Sequence, residues 1–123
     1  MKNQDLLNIT EAYGSPVYVY NAETIESQYK RLTSAFKKVK QVRINYAVKA
    51  LSNLAILQLM KRMGAGLDTV SIQEVKLGLA AGVDPKKIIY TPNGVSMEEI
   101  EEVAALGVQI RSEERRVGKS VDL

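Results

Sequence analysis

A short motif occurs twice in the sequence, and its repetition constrains the fold more than any other feature. Val70–Glu74 (VSIQE) is matched 25 residues later by Val95–Glu99 (VSMEE). Each copy contains Ser-x-x-Glu, the capping box that begins many helices. A glycine, the residue that commonly ends helices, follows each serine after eleven residues, at Gly82 and Gly107. The pattern predicts a repeating unit of a strand, a capped helix and a glycine stop.

Predicted strands and helices alternate along the chain. Runs of β-forming residues predict strands at Val42–Val48, Leu67–Val70 and Lys87–Thr91, with the start of a fourth at Val108–Ile110. Cap and stop signals predict helices that begin at Asn21, at Ser52 or Asn53, at Ser71 and at Ser96. Such alternation is typical of an α/β fold with a parallel sheet. No G-x-G-x-x-G follows the first strand, so the pattern favours a (β/α)8 TIM barrel over an open dinucleotide-binding sheet.

The amino-acid composition excludes several kinds of chemistry. The 123 residues include no cysteine and no histidine, which rules out disulfides, zinc–thiolate sites and any Ser-His or Cys-His machinery. No apolar stretch approaches the ~20 residues of a membrane helix. The first twenty residues lack the apolar core of a secretory signal. We therefore expect a cytoplasmic protein with no metal site and no membrane partner.

Basic residues are concentrated in one part of the chain. Nine lysines and arginines and no acidic residue lie between Ser27 and Leu67, although the net charge of the whole chain is only +3. This concentration is compatible with nucleic-acid binding. The favoured interpretation is that these residues form the solvated faces of two helices and their connection. We therefore expect no nucleic-acid partner.

Lys49 is the first candidate for chemistry. It ends the run Tyr46-Ala47-Val48-Lys49, on the face of the predicted strand opposite the apolar residues. In a barrel it would point inward near the carboxyl end of the strand, where barrel enzymes hold their catalytic groups. A lysine amine removed from water is readily deprotonated and can form a Schiff base with an aldehyde. The competing interpretation is an ordinary surface lysine, since the chain has eleven.

Asp68 lies at a similar place, near the carboxyl end of the next predicted strand. A carboxylate there is placed to orient Lys49 or to pair with it, although an aspartate in a turn or cap explains the same pattern. The capping boxes account for the other polar residues of the repeats, namely Ser71, Glu74, Ser96 and Glu99. The acidic run Glu98–Glu102 suits the positive end of a helix dipole and needs no other partner.

Four longer segments carry a family resemblance. In order, they are YGSPVYVYNAETI, NYAVKALSNLAIL, GAGLDTVSIQEVKLGLAAG and IIYTPNGVS, and they cover about residues 12–110. Together they resemble the diaminopimelate decarboxylase family, one of the decarboxylases that use pyridoxal 5'-phosphate (PLP) on an alanine-racemase-like barrel. The opening segment is more similar to this branch than to the ornithine or arginine branches. The family often has asparagine after the Lys-Ala pair, where this chain has Leu51.

The resemblance implies a fold, a cofactor and a reaction. It implies a (β/α)8 barrel with a C-terminal β domain, a homodimer, and PLP as cofactor. By the resemblance, Lys49 in YAVKA holds PLP covalently and Asp68 in GLDTVS lies close to it. The implied reaction converts the small-molecule substrate meso-diaminopimelate into L-lysine and CO2, the last step of lysine biosynthesis. An ornithine- or arginine-type decarboxylase and a non-catalytic PLP-binding barrel remain alternatives.

The resemblance also divides the chain into three segments. Residues 1–20 are a lead-in that in the family joins the β domain, and residues 21–110 are the N-terminal part of the PLP-binding barrel. Residues 111–123 do not fit the family, and we interpret them as the result of a frameshift, an assembly join or a foreign sequence. A targeting or nucleic-acid-binding tail is the alternative interpretation. A barrel needs about 250 residues, so we expect an N-terminal fragment that is inactive alone. Its unpaired sheet edges predict a poorly stable or self-associating product.

Overall fold

The computed structural model describes residues 2–111, which form two compact units that divide between Lys40 and Gln41. The first unit contains helices α1 (Asn3–Tyr13) and α2 (Ala22–Ala35). The second contains strands β1 (Asn45–Ala47), β2 (Gly66–Thr69), β3 (Ile88–Tyr90) and β4 (Gln109–Ile110), and helices α3 (Leu54–Arg62), α4 (Ile72–Ala80) and α5 (Met97–Ala105). Short 3-10 helices follow β1 and precede β3, at Val48–Ala50 and Pro85–Lys87. Apart from Arg111, the predicted tail of residues 111–123 lies outside the described residues.

The first unit is helical. Asn21 begins α2 as predicted, because its Oδ1 accepts a hydrogen bond from the Thr24 N–H at 3.1 Å. No sequence signal predicts α1, which forms within a polar stretch. Residues Val17–Tyr20 are valines and tyrosines, which favour a strand, but they do not form one. Within the described part of the chain they pair with no strand, and Val17, Tyr18 and Tyr20 are exposed.

A parallel sheet with the strand order β1-β2-β3-β4 organises the second unit. Tyr46 is in register with Leu67, and Leu67 with Ile88. A helix follows each of the first three strands, so the predicted alternation and the parallel sheet are confirmed. β1 is shorter than predicted, because its ladder starts where Asn45 lies opposite Gly66.

The hydrophobic core lies on the helix side of this sheet. Its fully buried members come from strands and helices alike, and include Leu57, Leu67, Val75, Ile88, Tyr90 and Val103. Gly78 lets α4 approach the strands closely, because a Cβ at this position would lie 2.7 Å from Leu67 Cδ1. Successive strand residues point to opposite faces. Ala47, Asp68 and Ile89, which are in register, therefore share the face turned away from the helices.

The two Ser-x-x-Glu motifs begin α4 and α5 as predicted. The Oγ atoms of Ser71 and Ser96 each accept a hydrogen bond at 3.3 Å from the backbone N–H of the glutamate three residues later. The Glu74 carboxylate stays within its own motif, where it accepts from the Val70 N–H at 2.8 Å. The predicted caps are therefore confirmed for the two serines, whereas Glu74 bonds to the residue before the cap and not to the N–H of Ser71 itself.

Glu99 behaves differently from Glu74. Its Oε1 accepts hydrogen bonds from the Tyr90 hydroxyl at 2.6 Å and from the Ile72 N–H at 3.0 Å. Farther along α5, Glu102 forms an ion pair with Lys76 at 2.7 Å. The predictions that the capping box accounts for Glu99 and that the acidic run needs no other partner are therefore wrong. The reason is tertiary: the repeats lie side by side, which brings α5 against the start of α4.

Candidate active site

The candidate residues lie where the parallel strands end. Lys49 follows β1, Asp68 is the third residue of β2, and Thr91 directly follows β3. The carboxyl ends of parallel strands meet at one edge of a sheet, and in (β/α)8 barrels that edge carries the catalytic groups. The structure thus brings both residues predicted from the sequence to the same edge.

Lys49 lies in a turn and not in the strand that the sequence pattern predicts. β1 ends at Ala47, and Val48–Ala50 form a single turn of 3-10 helix. The prediction that Lys49 belongs to the strand is therefore wrong, and strand alternation does not determine which way its side chain points. Lys49 is exposed, and its amine has no hydrogen bond or ion pair within residues 2–111. The amine is accessible to an aldehyde, but these residues do not remove it from water.

The turn that carries Lys49 is held at both ends. Val48 is fully buried in the core, and the Leu51 N–H donates to the Val48 carbonyl at 3.1 Å. The Tyr46 hydroxyl donates to the Leu51 carbonyl, also at 3.1 Å. Asn53, one of the two predicted caps, then begins α3 with its side-chain oxygen. Lys49 therefore stands on a short segment fixed between β1 and α3.

Asp68 has partners other than Lys49. Its Oδ1 accepts a hydrogen bond from the Thr91 hydroxyl at 3.0 Å, and its Oδ2 lies 3.8 Å from the Arg111 guanidinium. Within residues 2–111 the other ion pair joins two helices, so the predicted pairing of Asp68 with Lys49 is not formed. Asp68 is in register with Ala47, two residues before Lys49. Its carboxylate is thus oriented from the strand next to the one that leads to Lys49.

A second polar group lies at the opposite, amino end of the strands. Arg43 donates to Gln109 Oε1 at 3.1 Å and to the Lys86 carbonyl at 2.7 Å. Gly66 lies next to this group. A side chain at this position would not fit, because its Cβ would overlap the Asn45 side-chain oxygen. Arg43, one of the nine clustered basic residues, therefore binds the protein's own strands and connections.

The pKa shifts belong to groups that support the fold. Burial, and then the hydrogen bond to Glu99, raise the pKa of Tyr90 far above its ordinary value of 10.0, so the phenol stays neutral. Hydrogen bonds with its own backbone N–H and with Ser96 lower the pKa of Glu98. Residues 2–111 contain no group of three or more acidic, cysteine or histidine side chains that could hold a metal ion. None of the helices formed by these residues has the length and apolar character needed to cross a membrane.

Comparison with known families gives this arrangement a context. Residues 22–116 match the family described as pyridoxal-dependent decarboxylase, pyridoxal binding domain. The match includes Lys49, Asp68 and all four strands. The chain belongs to this family, whose cofactor is PLP, and the predicted resemblance is confirmed.

Individual relatives agree with the family match. The chain is 36% identical over 112 residues to the diaminopimelate decarboxylase of Methanothermobacter thermautotrophicus, an alignment that covers 90% of this chain and 26% of the relative. It is 41% identical over 96 residues to the diaminopimelate decarboxylase of Campylobacter jejuni, covering 78% of this chain and 24% of the relative. The chain thus spans about a quarter of the length of these relatives.

A solved structure supports the fold in the same way. Diaminopimelate decarboxylase from M. jannaschii, in complex with L-lysine, aligns with a TM-score of 0.81 and 32% sequence identity. The alignment covers 87% of this chain and 26% of that chain. The four parallel strands and their helices are therefore part of the decarboxylase barrel, which confirms the predicted fold class.

Residues near the carboxyl ends of β1 and β2 carry groups that suit the aldehyde end of PLP. Lys49 supplies an exposed primary amine, the group that attaches to an aldehyde carbon. Asp68 supplies a carboxylate whose position is fixed by Thr91. Phosphate sites in (β/α)8 barrels usually form on the loops after the last strands. The described residues therefore supply an amine and a carboxylate of the kinds that suit this end of the cofactor, and no phosphate site is assigned to them.

Sequence reasoning missed three residues that support this site and its surroundings. Tyr46 counts in the pattern only as part of an apolar strand face, but a tyrosine there needs a partner for its hydroxyl, and that need is a usable signal. Thr91 is the last residue of a predicted strand, which is where a residue at this edge is expected. Glu99 carries no such signal, because its capping box already explains it.

Proposed function

We propose that this chain is the N-terminal part of a PLP-dependent decarboxylase that converts meso-diaminopimelate into L-lysine and CO2. The observation that carries the proposal is Lys49, an exposed amine on a fixed turn at the carboxyl end of β1 in a chain of this family. The choice of substrate is supported by relatives named diaminopimelate decarboxylase at 36% and 41% identity. It is also supported by L-lysine, the product of this reaction, in the complex of the M. jannaschii protein.

Two residues have assigned roles in this proposal. Lys49 would hold the aldehyde end of the cofactor through Nζ, and its exposed amine has no other assigned role. Asp68, whose Oδ1 accepts a hydrogen bond from the Thr91 hydroxyl, would lie close to the cofactor as a supporting carboxylate. When bound, PLP supplies an electron sink for the charge left at Cα as CO2 departs. The proposal includes a cytoplasmic homodimer, as the family resemblance implies.

Cofactor attachment is tested with a matched pair of variants of the 123-residue chain. Lys49→Arg and Lys61→Arg both keep a positive charge, but arginine does not attach to the aldehyde. PLP is added to each protein at an equimolar ratio, and the absorbance of lysine-bound cofactor is recorded. We expect K49R to lose this signal and K61R to keep it, because Lys61 lies in the last turn of α3, near the amino end of β2. Equal spectra from both variants would contradict the role of Lys49.

Turnover is tested separately, by measuring lysine and CO2 formed from meso-diaminopimelate. We expect none from this chain, because the described strands are half of those in a (β/α)8 barrel. Lysine formation by the wild type but not by K49R would support the reaction and overturn the expectation of inactivity. Release of CO2 from ornithine, and not from meso-diaminopimelate, would favour the alternative decarboxylase type.

A further inference from the structure

We propose that Tyr46 is a positioning residue for Lys49 and acts through the hydrogen bond from its hydroxyl to the Leu51 carbonyl. The inference rests on the proposed function, in which Lys49 attaches PLP. Tyr46 holds the backbone segment that carries the Lys49 amine and takes no part in the chemistry. The two hydrogen bonds of Leu51 and the burial of Val48 carry it.

The turn that carries Lys49 has little stability of its own. Val48–Ala50 form one turn of 3-10 helix, closed by the Leu51 N–H to Val48 carbonyl hydrogen bond of 3.1 Å. Turns of this kind have poorer hydrogen-bond geometry than an α-helix and are rarely extended. If the turn opened, the Lys49 Cα would move with it. A reactive lysine on such a turn needs a further restraint.

Tyr46 provides that restraint from within the strand. It lies in β1, in register with Leu67, and packs against the hydrophobic core. Its side chain has only two rotatable angles, so the packed ring holds the hydroxyl in a defined place. From there the hydroxyl donates to the carbonyl of Leu51, five residues farther along the chain. Both backbone polar groups of Leu51 are therefore bonded, one to Val48 and the other to Tyr46.

This geometry restricts where the Lys49 amine can be. Val48 on one side is fully buried, and Leu51 on the other is bonded at both its N–H and its carbonyl. A lysine side chain loses considerable rotamer entropy when it is held in one place. A fixed Cα reduces the volume that Nζ samples, and reaction with an aldehyde depends on holding the two groups in the right geometry. Loss of a neutral hydrogen bond changes such a population by about fivefold.

Tyr46→Phe isolates the hydroxyl, because it keeps the aromatic ring. Tyr90→Phe is the matched control: it removes another tyrosine hydroxyl, one that bonds to Glu99 from β3. In the full chain without cofactor, amide hydrogen exchange at Leu51 is compared with exchange at the buried Val75. We expect Y46F to accelerate Leu51 exchange about fivefold relative to Val75. Y90F should leave the rate of Leu51 exchange itself close to that of the wild type, because Tyr90 bonds to Glu99 and not to the turn; any general destabilisation in Y90F shows as faster exchange at Val75.

The second readout is the share of borohydride-trapped PLP found on Lys49. We expect Y46F to lower the ratio of Lys49 labelling to labelling of the other lysines by about fivefold, whereas Y90F leaves it unchanged. An unchanged Leu51 exchange ratio in Y46F, or an unchanged Lys49 share, would overturn the proposal. If the wild type itself shows no preference for Lys49, the proposed function fails. The exchange ratio then decides alone whether Tyr46 holds the turn.

Discussion

The carboxylate of Glu99 is shared by two donors, and its removal should affect both together. The Tyr90 hydroxyl is 2.6 Å from Oε1 and the Ile72 N–H is 3.0 Å from the same atom, while Tyr90 is fully buried. Hydrogen bonds to charged groups contribute about 1.5–3 kcal/mol, so Tyr90→Phe should lower the free energy of unfolding by about 2 kcal/mol. Glu99→Ala leaves two donors without their acceptor and should cost about 3 kcal/mol. The double variant should cost about the same 3 kcal/mol, because Phe at position 90 no longer needs the acceptor.

The expected coupling between the two sites is therefore about 2 kcal/mol. Urea unfolding followed by far-ultraviolet circular dichroism measures it in the wild type, both single variants and the double variant. All four proteins are studied at the same sucrose concentration, because excluded osmolytes strengthen the folded state of a marginally stable protein. If the costs of the two single substitutions add up to the cost of the double variant within about 0.5 kcal/mol, the explanation of a shared acceptor is refuted.

Four further predictions follow from local contacts. Asn53→Ala should lower the free energy of unfolding by about 1 kcal/mol, because Asn53 is the residue that caps α3. Ser52→Ala should change it by less than about 0.5 kcal/mol, and equal losses in urea unfolding would contradict this assignment of the cap. Gly66→Ala should lower the free energy of unfolding by about 2 kcal/mol or more, because the new Cβ would lie 2.6 Å from the Lys87 carbonyl oxygen. An unchanged urea midpoint would show that β2 and the segment before β3 are not this close. Above the ordinary tyrosine pKa of 10.0 the unfolded state loses the Tyr90 proton before the folded state does, so the contribution of Tyr90 to stability should be constant below that pH and fall above it. The fall should be shallower in Y90F, and equal alkaline slopes in urea unfolding would contradict the raised pKa. The side chains of Lys76 and Glu102, which form an ion pair, are both more than half exposed. A double-mutant cycle should therefore give a coupling of no more than about 0.5 kcal/mol, and a much larger coupling would contradict the expectation that water weakens this pair.

The order of the elements could be predicted because helix caps and stops depend on residues close in sequence. Asn21, Ser71 and Ser96 each accept a hydrogen bond from a backbone N–H three residues later, and such a signal can be read directly from the sequence. Helix α1 has no comparable signal. The exact extent of β1 also could not be predicted from the sequence, because a strand ends where its neighbour ceases to pair with it.

Contacts between distant residues could not be predicted. Glu99 satisfies a local capping pattern, yet its carboxylate reaches Ile72, 27 residues earlier in the chain. The pattern predicts that Asp68 and Lys49 lie near the carboxyl ends of strands, as they do, but Asp68 binds Thr91 and Arg111 instead of Lys49. Periodicity identifies the edge of the sheet at which a residue lies. The partner it meets there depends on how neighbouring strands and helices are packed.

The central claim, that Lys49 is the residue that takes PLP, is tested most directly by locating the cofactor on the chain. The full 123-residue protein is treated with equimolar PLP, reduced with borohydride, digested and mapped by mass spectrometry, with Lys49→Ala as the control. We expect one adduct per chain, on Lys49, and almost none on the other ten of the eleven lysines. The total should fall to background in K49A. Labelling spread over many lysines, with the same total in K49A, would contradict the claim.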